Sequence, residues 1–385
     1  MVDVPIAVIG AVLLLLSAGA VALGILPVSE VLVISDRVWP ILLFVVAITV
    51  VAELAALAGV FDLASAFLAR LARGRVWALW LLVVALAVVA TAFLSLDTTA
   101  VLLTPVVIAV ARAHRLDPLP FAFTTVWLAN TASLALPVSN LTNLLAVERL
   151  DVDARTFIAL LGPSAVIAIG VTVALLWIVF RRRLRGRFPQ APDPAIGDRL
   201  LTWCAGGVVV VLLPLLVSGI PPWMPASVAA VALVLLYAWR FPRALRFWLL
   251  PWQLVVFASG LFLAVGVLES IGAEVVLDAL AGTGDDLFAL WRLSGIGMLG
   301  ANAVNNLPAY LALEGVASSP ARLGALLIGV NAGPLITPWA SLATLLWHER
   351  LRPEGVSVSW RCFALLGLVA APLTVALSVL PLAWR

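Results

Sequence analysis

Apolar residues run along this chain in long blocks, separated by short stretches that carry its polar and arginine residues. The blocks lie near 5–26, 39–60, 76–113, 119–147, 156–180, 200–218, 224–239, 249–270, 288–316, 322–347 and 361–383. A helix of about 20 apolar residues crosses a bilayer, so most blocks predict one transmembrane helix. The first block follows Asp3, with no basic residue before it and no small-residue cleavage site after it. That predicts a membrane helix with an outer loop over 1–38 rather than a cleaved signal. Blocks 76–113 and 288–316 are too long for one simple span. Each carries a polar break: Ser95-Leu96-Asp97-Thr98-Thr99 in one, Asn302 and Asn305-Asn306-Leu307-Pro308 in the other.

Composition sharpens the class. Hydrophobic residues make up 64% of the 385 and charged residues 11%, with a mean hydropathy of +1.17. Soluble domains are about 45–50% apolar and about 25% charged. A water-soluble globule, a disordered chain and a nucleic-acid binder are therefore excluded. The net charge of +3 comes from arginine alone, since the sequence contains no lysine. In a membrane protein such charge reports topology, because basic loops stay in the cytoplasm. Cys204 and Cys362 lie in separate apolar blocks and make neither a metal spacing nor a disulfide framework.

The arginines place the blocks. Arg70, Arg73 and Arg75 precede block 76–113, and Arg112 and Arg115 close it. Both of its ends are then cytoplasmic, and the block reads as a re-entrant hairpin turning at its polar break. Irregular backbone survives at membrane depth only under cover of protein or water. The stretch 181–199 reads as a cytosolic Arg-rich linker broken by Pro189, Pro192 and Pro194. With Arg240, Arg243, Arg246, Arg350, Arg352 and Arg361 also inside, 17 of the 23 basic residues face the cytoplasm. The acids Glu148, Asp151, Asp153, Asp285 and Asp286 fall outside. Nine full spans and two hairpins result, in an inner-membrane protein with its N-terminus cytoplasmic and its C-terminus outside. Tryptophans at block ends (Trp39, Trp77, Trp223, Trp239, Trp248, Trp360) fit an interfacial belt. His114 and His348 fall in basic loops and are expected to be solvated, and Glu269 is expected near the outer surface.

The two halves repeat. NTASLALPVSNLTNLL at 130–145 matches NAGPLITPWASLATLL at 331–346 in 6 of 16 positions, Asn130 over Asn331 and Pro137 over Pro338 among them. SLDTTA at 95–100 lies over VNNLPA at 304–309. Arginine placement makes the halves antiparallel. The expected fold is therefore an all-α polytopic membrane protein: an inverted-repeat secondary transporter with two re-entrant hairpins and two broken transmembrane helices. The first repeat spans 39–180 with an inward hairpin at 76–113; the second spans 200–385 with an outward hairpin at 288–316.

The polar residues gather at the breaks, where proline removes a backbone donor and interrupts a helix. Candidate solute-binding side chains are Ser95, Thr98, Asn130, Thr131, Ser139, Asn140, Asn143, Asn302, Asn305, Asn306, Asn331, Thr337 and Ser341. Hydroxyls and amides offer both donors and acceptors. The same residue types also join membrane helices without any binding role. Asp97 is the foremost candidate for proton coupling, because a carboxylate at membrane depth costs several kcal/mol. Glu53, in block 39–60, is a second proton site or an interfacial residue. No basic residue falls in the breaks, which disfavours a strongly anionic solute and suits a neutral polyhydroxyl one. No GxxxxGK[ST] motif occurs, so the chain does not hydrolyse ATP itself. No catalytic constellation supports an enzyme, and no cofactor or metal is implied.

LDTTAVLLTPVVIAVA (96–111), ANTASLALPVSNLTNLL (129–145), PWQLVVFASGLFLAVGVLESIG (251–272), NNLPA (305–309) and GPLITPWASLATLLW (333–347) resemble the arsenite efflux permeases of the ArsB type, within the ion-transporter superfamily. The resemblance runs from about residue 39 to about 383. It implies export of trivalent arsenic or antimony hydroxide in exchange for protons, across a lipid bilayer. It also implies a capacity to assemble with a separate cytosolic arsenite-stimulated ATPase. Leu96 stands where that family commonly carries Asn, and Trp339-Ala340 stands where small residues are expected. Other transport modes fit the same scaffold: a sodium/proton antiporter, a sodium-coupled small-anion carrier, or the membrane subunit of an ATP-driven pump.

Overall fold

The computed structural model describes residues 6–189, 197–270 and 279–384, and every regular element in it is helical. Helix α1 (Ile6–Ala22) turns at Gly24 into α2 (Val28–Leu57). The helix starts well before residue 39, so the expected outer loop shrinks to a short turn. The polar residues Glu30, Ser35, Asp36 and Arg37 hid this start from the apolar count. At 1.5 Å per residue, the 30 residues of α2 extend about 45 Å, longer than the roughly 30 Å apolar core of a bilayer.

Next come α3 (Val60–Leu71), α4 (Val76–Leu94) and α5 (Leu96–Ala113). Helices α4 and α5 meet at Ser95, and both of their far ends return to one place. Val76 N donates to Gly186 O at 3.3 Å, and His114 Nδ1 lies 2.8 Å from Pro189 O. Block 76–113 is thus a pair of helices that leaves and regains one face of the molecule. The first part of the arginine linker packs there, with Phe188 against His114 at a ring distance of 4.6 Å. His114 is buried, against the expectation that it is solvated, because this linker segment covers it. His348 is half-buried and stacks on Trp360 at 4.2 Å. The prolines Pro192 and Pro194 and the Glu269 side chain lie outside the described residues.

Helix α6 (Leu119–Thr131) stops, the chain crosses 132–140 in irregular turns, and α7 (Leu141–Leu150) resumes. After α8 (Ala154–Phe180) come α9 (Arg199–Leu215), α10 (Trp223–Arg240) and α11 (Trp252–Ser270). The second broken pair is α12 (Leu287–Ala303) and α13 (Asn306–Glu314), meeting at Asn305. Then α14 (Pro320–Ala332) stops, residues 333–341 are irregular, and α15 (Leu342–Leu351) resumes, before α16 (Trp360–Val379). Helices α6 and α14 are each 13 residues long, α7 and α15 each 10, and both pairs start 201 residues apart. The two tips pair one residue later than the sequence alignment places them: their positive-φ residues are Ser95 and Asn305, 210 apart.

Two packed groups result. Helices α1, α2, α9, α10 and α11 form one packed group, α4–α8 pack with α12–α16 in a second, and the contacts between the groups run through α2, α3 and α11. Glycine permits the closest approach in the first group, since a Cβ on Gly260 would overlap the Gly10 carbonyl oxygen. The C-terminus of α2 is held there too, with Tyr237 Oη donating to Leu54 O at 2.8 Å and Thr202 Oγ1 to Ala58 O at 2.6 Å.

Candidate functional site

Both tips and both helix breaks meet at one small cavity of about 60 Å³. Ser95, Leu96 and Asp97 come from the first tip, Asn305, Asn306 and Leu307 from the second, Asn140 and Leu141 from the first break and Leu342 from the second. Helix α2 supplies Phe44, Val45, Ile48 and Thr49, and α11 supplies Leu254 and Phe257. The sequence reading did not name these α2 and α11 residues, because nothing in an apolar block marks which face meets a cavity.

The tips carry local strain. Ser95 has φ 89° and ψ 159°, and Asn305 has φ 141° and ψ 158°. That backbone region belongs almost to glycine alone and costs about 1–3 kcal/mol per residue, a cost that concentrates at functional sites. Each side chain caps the helix that follows it: Ser95 Oγ accepts from Thr98 N at 3.4 Å and Asn305 Oδ1 from Leu307 N at 3.3 Å. A π-turn over Thr99–Leu103 follows the first tip, another irregularity common at functional sites.

Helices α5, α7, α13 and α15 all begin at the cavity wall. Each N-terminus contributes partial positive charge and unsatisfied N–H groups. Asp97, in the first turn of α5, supplies the one carboxylate of the described lining. Its Oδ1 is buried with no hydrogen-bond partner. The helix termini therefore balance a carboxylate that no described ion pair neutralises. Among the described residues, no basic side chain lines the cavity.

The structure divides the sequence candidates. Ser95, Asp97, Asn140, Asn305 and Asn306 line the central cavity. Asp97, Thr98 and Glu53 line an adjoining cavity of about 230 Å³, with Gln253 and the exposed Trp252 and Arg350 at its far end. The remaining candidates line neither, and hydrogen bonds inside the protein occupy them. Asn331 Oδ1 accepts from Asn140 Nδ2 at 2.8 Å and Thr142 Oγ1 at 2.9 Å, while Asn331 Nδ2 donates to Asn143 Oδ1 at 2.8 Å. Asn143 Nδ2 donates to Ser133 O and Leu136 O. This buried amide group ties the two broken helices together. Asn302 fastens the second break, donating to Gly333 O at 2.8 Å and accepting from Ile336 N and Thr337 N at 3.1 Å. Thr337 Oγ1 donates back to Asn302 O, and Ser341 Oγ accepts from Thr344 N. Ser139 Oγ donates to Ala92 O, Thr131 Oγ1 to Trp127 O and Asn130 Nδ2 to Val126 O. Asn130 Oδ1 is buried without a partner.

Of the two positions that depart from the family pattern, Leu96 lines the central cavity and narrows it with an apolar wall. Trp339 Nε1 donates to Asn302 O at 2.9 Å, so its indole caps the end of α12.

Two charged features escaped the sequence reading. Arg322, buried in α14, donates to Gly282 O, Gly284 O and Val316 O and so closes the base of the second tip pair. At the same end, Arg37 of α2 pairs with Glu148 of α7 and with the buried Glu314 of α13. The available signal was an arginine beside, or inside, an apolar block.

The sequence family described as citrate transporter (CitMHS) matches residues 2–344. A protein of Yersinia enterocolitica named arsenical pump membrane protein is 30% identical over 380 residues, covering 92% of this chain and 88% of the relative. One of Escherichia coli with the same name is 30% identical over 398 residues, covering 94% and 89%. Among solved structures, the YdaH transporter of Alcanivorax borkumensis, described as having an unusual topology, superposes with a TM-score of 0.54 at 16% identity, covering 98% of this chain and 97% of that one. At that identity the likeness is one of fold.

Proposed function

The chain belongs to the citrate transporter family, as a permease of the arsenical-pump type, and from that premise we propose that it exports arsenic(III) or antimony(III) hydroxide in exchange for protons. It is a multi-pass membrane transporter and not an enzyme.

The observation that carries the substrate is the central cavity. One water needs about 10–15 Å³ of such space, so a cavity of about 60 Å³ suits a solute of about four to six heavy atoms. A central atom with three hydroxyls has that size; a tricarboxylate does not. Asn140, Asn305, Asn306 and Ser95 offer donors and acceptors to the hydroxyls. The apolar wall of Phe44, Ile48, Leu96, Leu254 and Phe257 suits the face of a pyramidal As(OH)3 that carries no hydroxyl. Four helix N-termini, each about half a positive charge, outweigh the single carboxylate of Asp97, so the choice of a small uncharged solute over a tricarboxylate rests on cavity size and not on charge.

Asp97 is the proton-coupling group in this reading. It lines both the central cavity and the adjoining one, which reaches Glu53 and the exposed Arg350. A proton on Asp97 and a solute beside it compete for the same oxygen atoms, so binding one favours release of the other. Glu53 relays the proton between Asp97 and the Arg350 end. By the basic-loop rule, that end is cytoplasmic, which sets the N-terminus inside and the C-terminus outside the inner membrane. The matched broken helices and the strained tips support an inverted repeat with its site near the midplane.

Counterflow in proteoliposomes tests the substrate. Vesicles preloaded with arsenite should take up labelled arsenite, and external antimonite should compete. Vesicles that exchange citrate but not arsenite would overturn this reading in favour of the anion carrier that the family description suggests.

A further inference from the structure

Three cavities lie end to end along α2. Glu53 and Thr49 line the one that reaches Arg350; Thr49, Ile48, Val45 and Phe44 line the central one; Phe44, Ile41, Pro40 and Arg37 line a third, of about 300 Å³, at the opposite end. A pathway along a single helix accounts for the sequence. The first two cavities share Thr49, Asp97, Leu254 and Leu342. Among the described residues the central and third cavities share only Phe44 and Leu144, which are 2% and 8% exposed and form an apolar floor between them.

Above that floor stands the ion-pair group. Arg37 Nε donates to Glu148 Oε2 at 2.5 Å and Arg37 Nη2 to Glu314 Oε1. Arg149 Nη1 lies 3.8 Å from the same Glu314 oxygen. Arg37 belongs to the first packed group, and Glu148, Arg149 and Glu314 to the second. Its bonds therefore span the seam along which the cavities lie. A bound solute can leave at this end only if α2 separates here from α7 and α13.

We propose that Arg37, through its ion pairs to Glu148 and Glu314 and with the Phe44–Leu144 floor beneath it, is the gate that closes the solute pathway at the Glu148 face. The structure holds this gate shut while the Arg350 face stands open. The gate rests on a transport pathway through the central cavity but not on the identity of the solute. Charge-assisted pairs suit a gate because they are strong when shut, yet both partners can be rehydrated when the seam parts. Glu314 is nearly fully enclosed, so loss of Arg37 leaves a buried carboxylate poorly compensated and shifts the equilibrium toward the open arrangement.

The first arm of the test needs no solute. In a cysteine-free background (Cys204→Ser, Cys362→Ser), Val45→Cys places a thiol on the central cavity. A small membrane-impermeant methanethiosulfonate should modify it from the Arg350 face and not from the Glu148 face. Adding Arg37→Gln should raise modification from the Glu148 face at least about tenfold, with modification from the Arg350 face retained as the check on folding. An Arg37→Gln protein that reacts normally at the Arg350 face and stays protected at the Glu148 face would overturn the proposal. A second arm leaves Arg37 intact. Ile41→Cys with Val147→Cys, both on the third cavity, joined by a short bis-methanethiosulfonate, should stop arsenite counterflow until a reductant is added. Unchanged counterflow in the cross-linked protein would equally overturn it.

Discussion

Asn331 gives the sharpest separation between a residue that binds solute and one that holds the framework. Asn331→Leu removes three buried hydrogen bonds, to Asn140, Thr142 and Asn143, of 2.8, 2.9 and 2.8 Å. Polar contacts between membrane helices average about 0.6 kcal/mol and reach about 1.7 kcal/mol, so their loss costs about 2–5 kcal/mol. Unfolding entropy of about 2.1 cal/mol/K per residue gives about 0.8 kcal/mol/K for 385 residues. The melting temperature should then fall by about 2–6 °C. Thermal denaturation of the purified protein in detergent, followed by size-exclusion fluorescence, measures this. Thr142→Val, which removes one bond of the three, should show about a third of the drop. Asn305→Ala removes a cavity-lining amide that also caps α13 and donates to Trp339 O, so it should reduce counterflow and also lower melting by about 1–2 °C. An Asn331→Leu protein that melts like the parent while its arsenite KM rises would instead place this amide against the solute and overturn its framework role.

Three further outcomes follow from the packing and the caps. Gly329→Ala should destabilise by about 1–3 kcal/mol, since its Cβ would overlap the Ser294 carbonyl oxygen where α14 crosses α12. The same exchange at Gly295, which has nothing within 4 Å of its Cβ position, should instead stabilise by about 0.4–1 kcal/mol by reducing unfolded-state freedom; melting curves of the two variants check both signs. Asp198 caps α9 and accepts from Arg240 Nε at 2.9 Å, and the Arg240 hydrogen bond holds its carboxyl below the usual value of 3.8. Its stabilisation is therefore present above the unfolded value near 3.8 and lost as pH falls through the depressed folded value. Asp198→Ala should melt below the parent at neutral pH and converge with it in acid, as a pH series of melting curves would show.

The framework was legible where composition and punctuation carry it. Ser95, Asn305 and the two irregular stretches coincide with polar clusters, because polar groups enter an apolar block only where backbone bonding is interrupted. Asp97 was legible because an intramembrane carboxylate is rare. What the sequence could not convey was the partner of each amide. Asn130 and Asn331 align, yet Asn331 joins a buried network with Asn140 and Asn143 while Asn130 Nδ2 turns back to Val126 O of its own helix. That division depends on side-chain direction across 191 positions of chain. The start of α2 was hidden for a related reason: Arg37 lowered the local apolar content while its charge is satisfied by Glu148 and Glu314, far along the chain. Arg322 likewise reads as a loop arginine until the carbonyls it clasps are brought together.

The most direct test of proton-coupled export through Asp97 is arsenite accumulation in proteoliposomes under an imposed inside-acid gradient, without ATP or sodium, for the parent and for Asp97→Asn. Uphill accumulation by the parent is expected, with collapse on adding a protonophore, and none by a folded Asp97→Asn protein. Equal accumulation by Asp97→Asn under the same gradient would contradict it, as would accumulation by the parent that requires ATP or sodium.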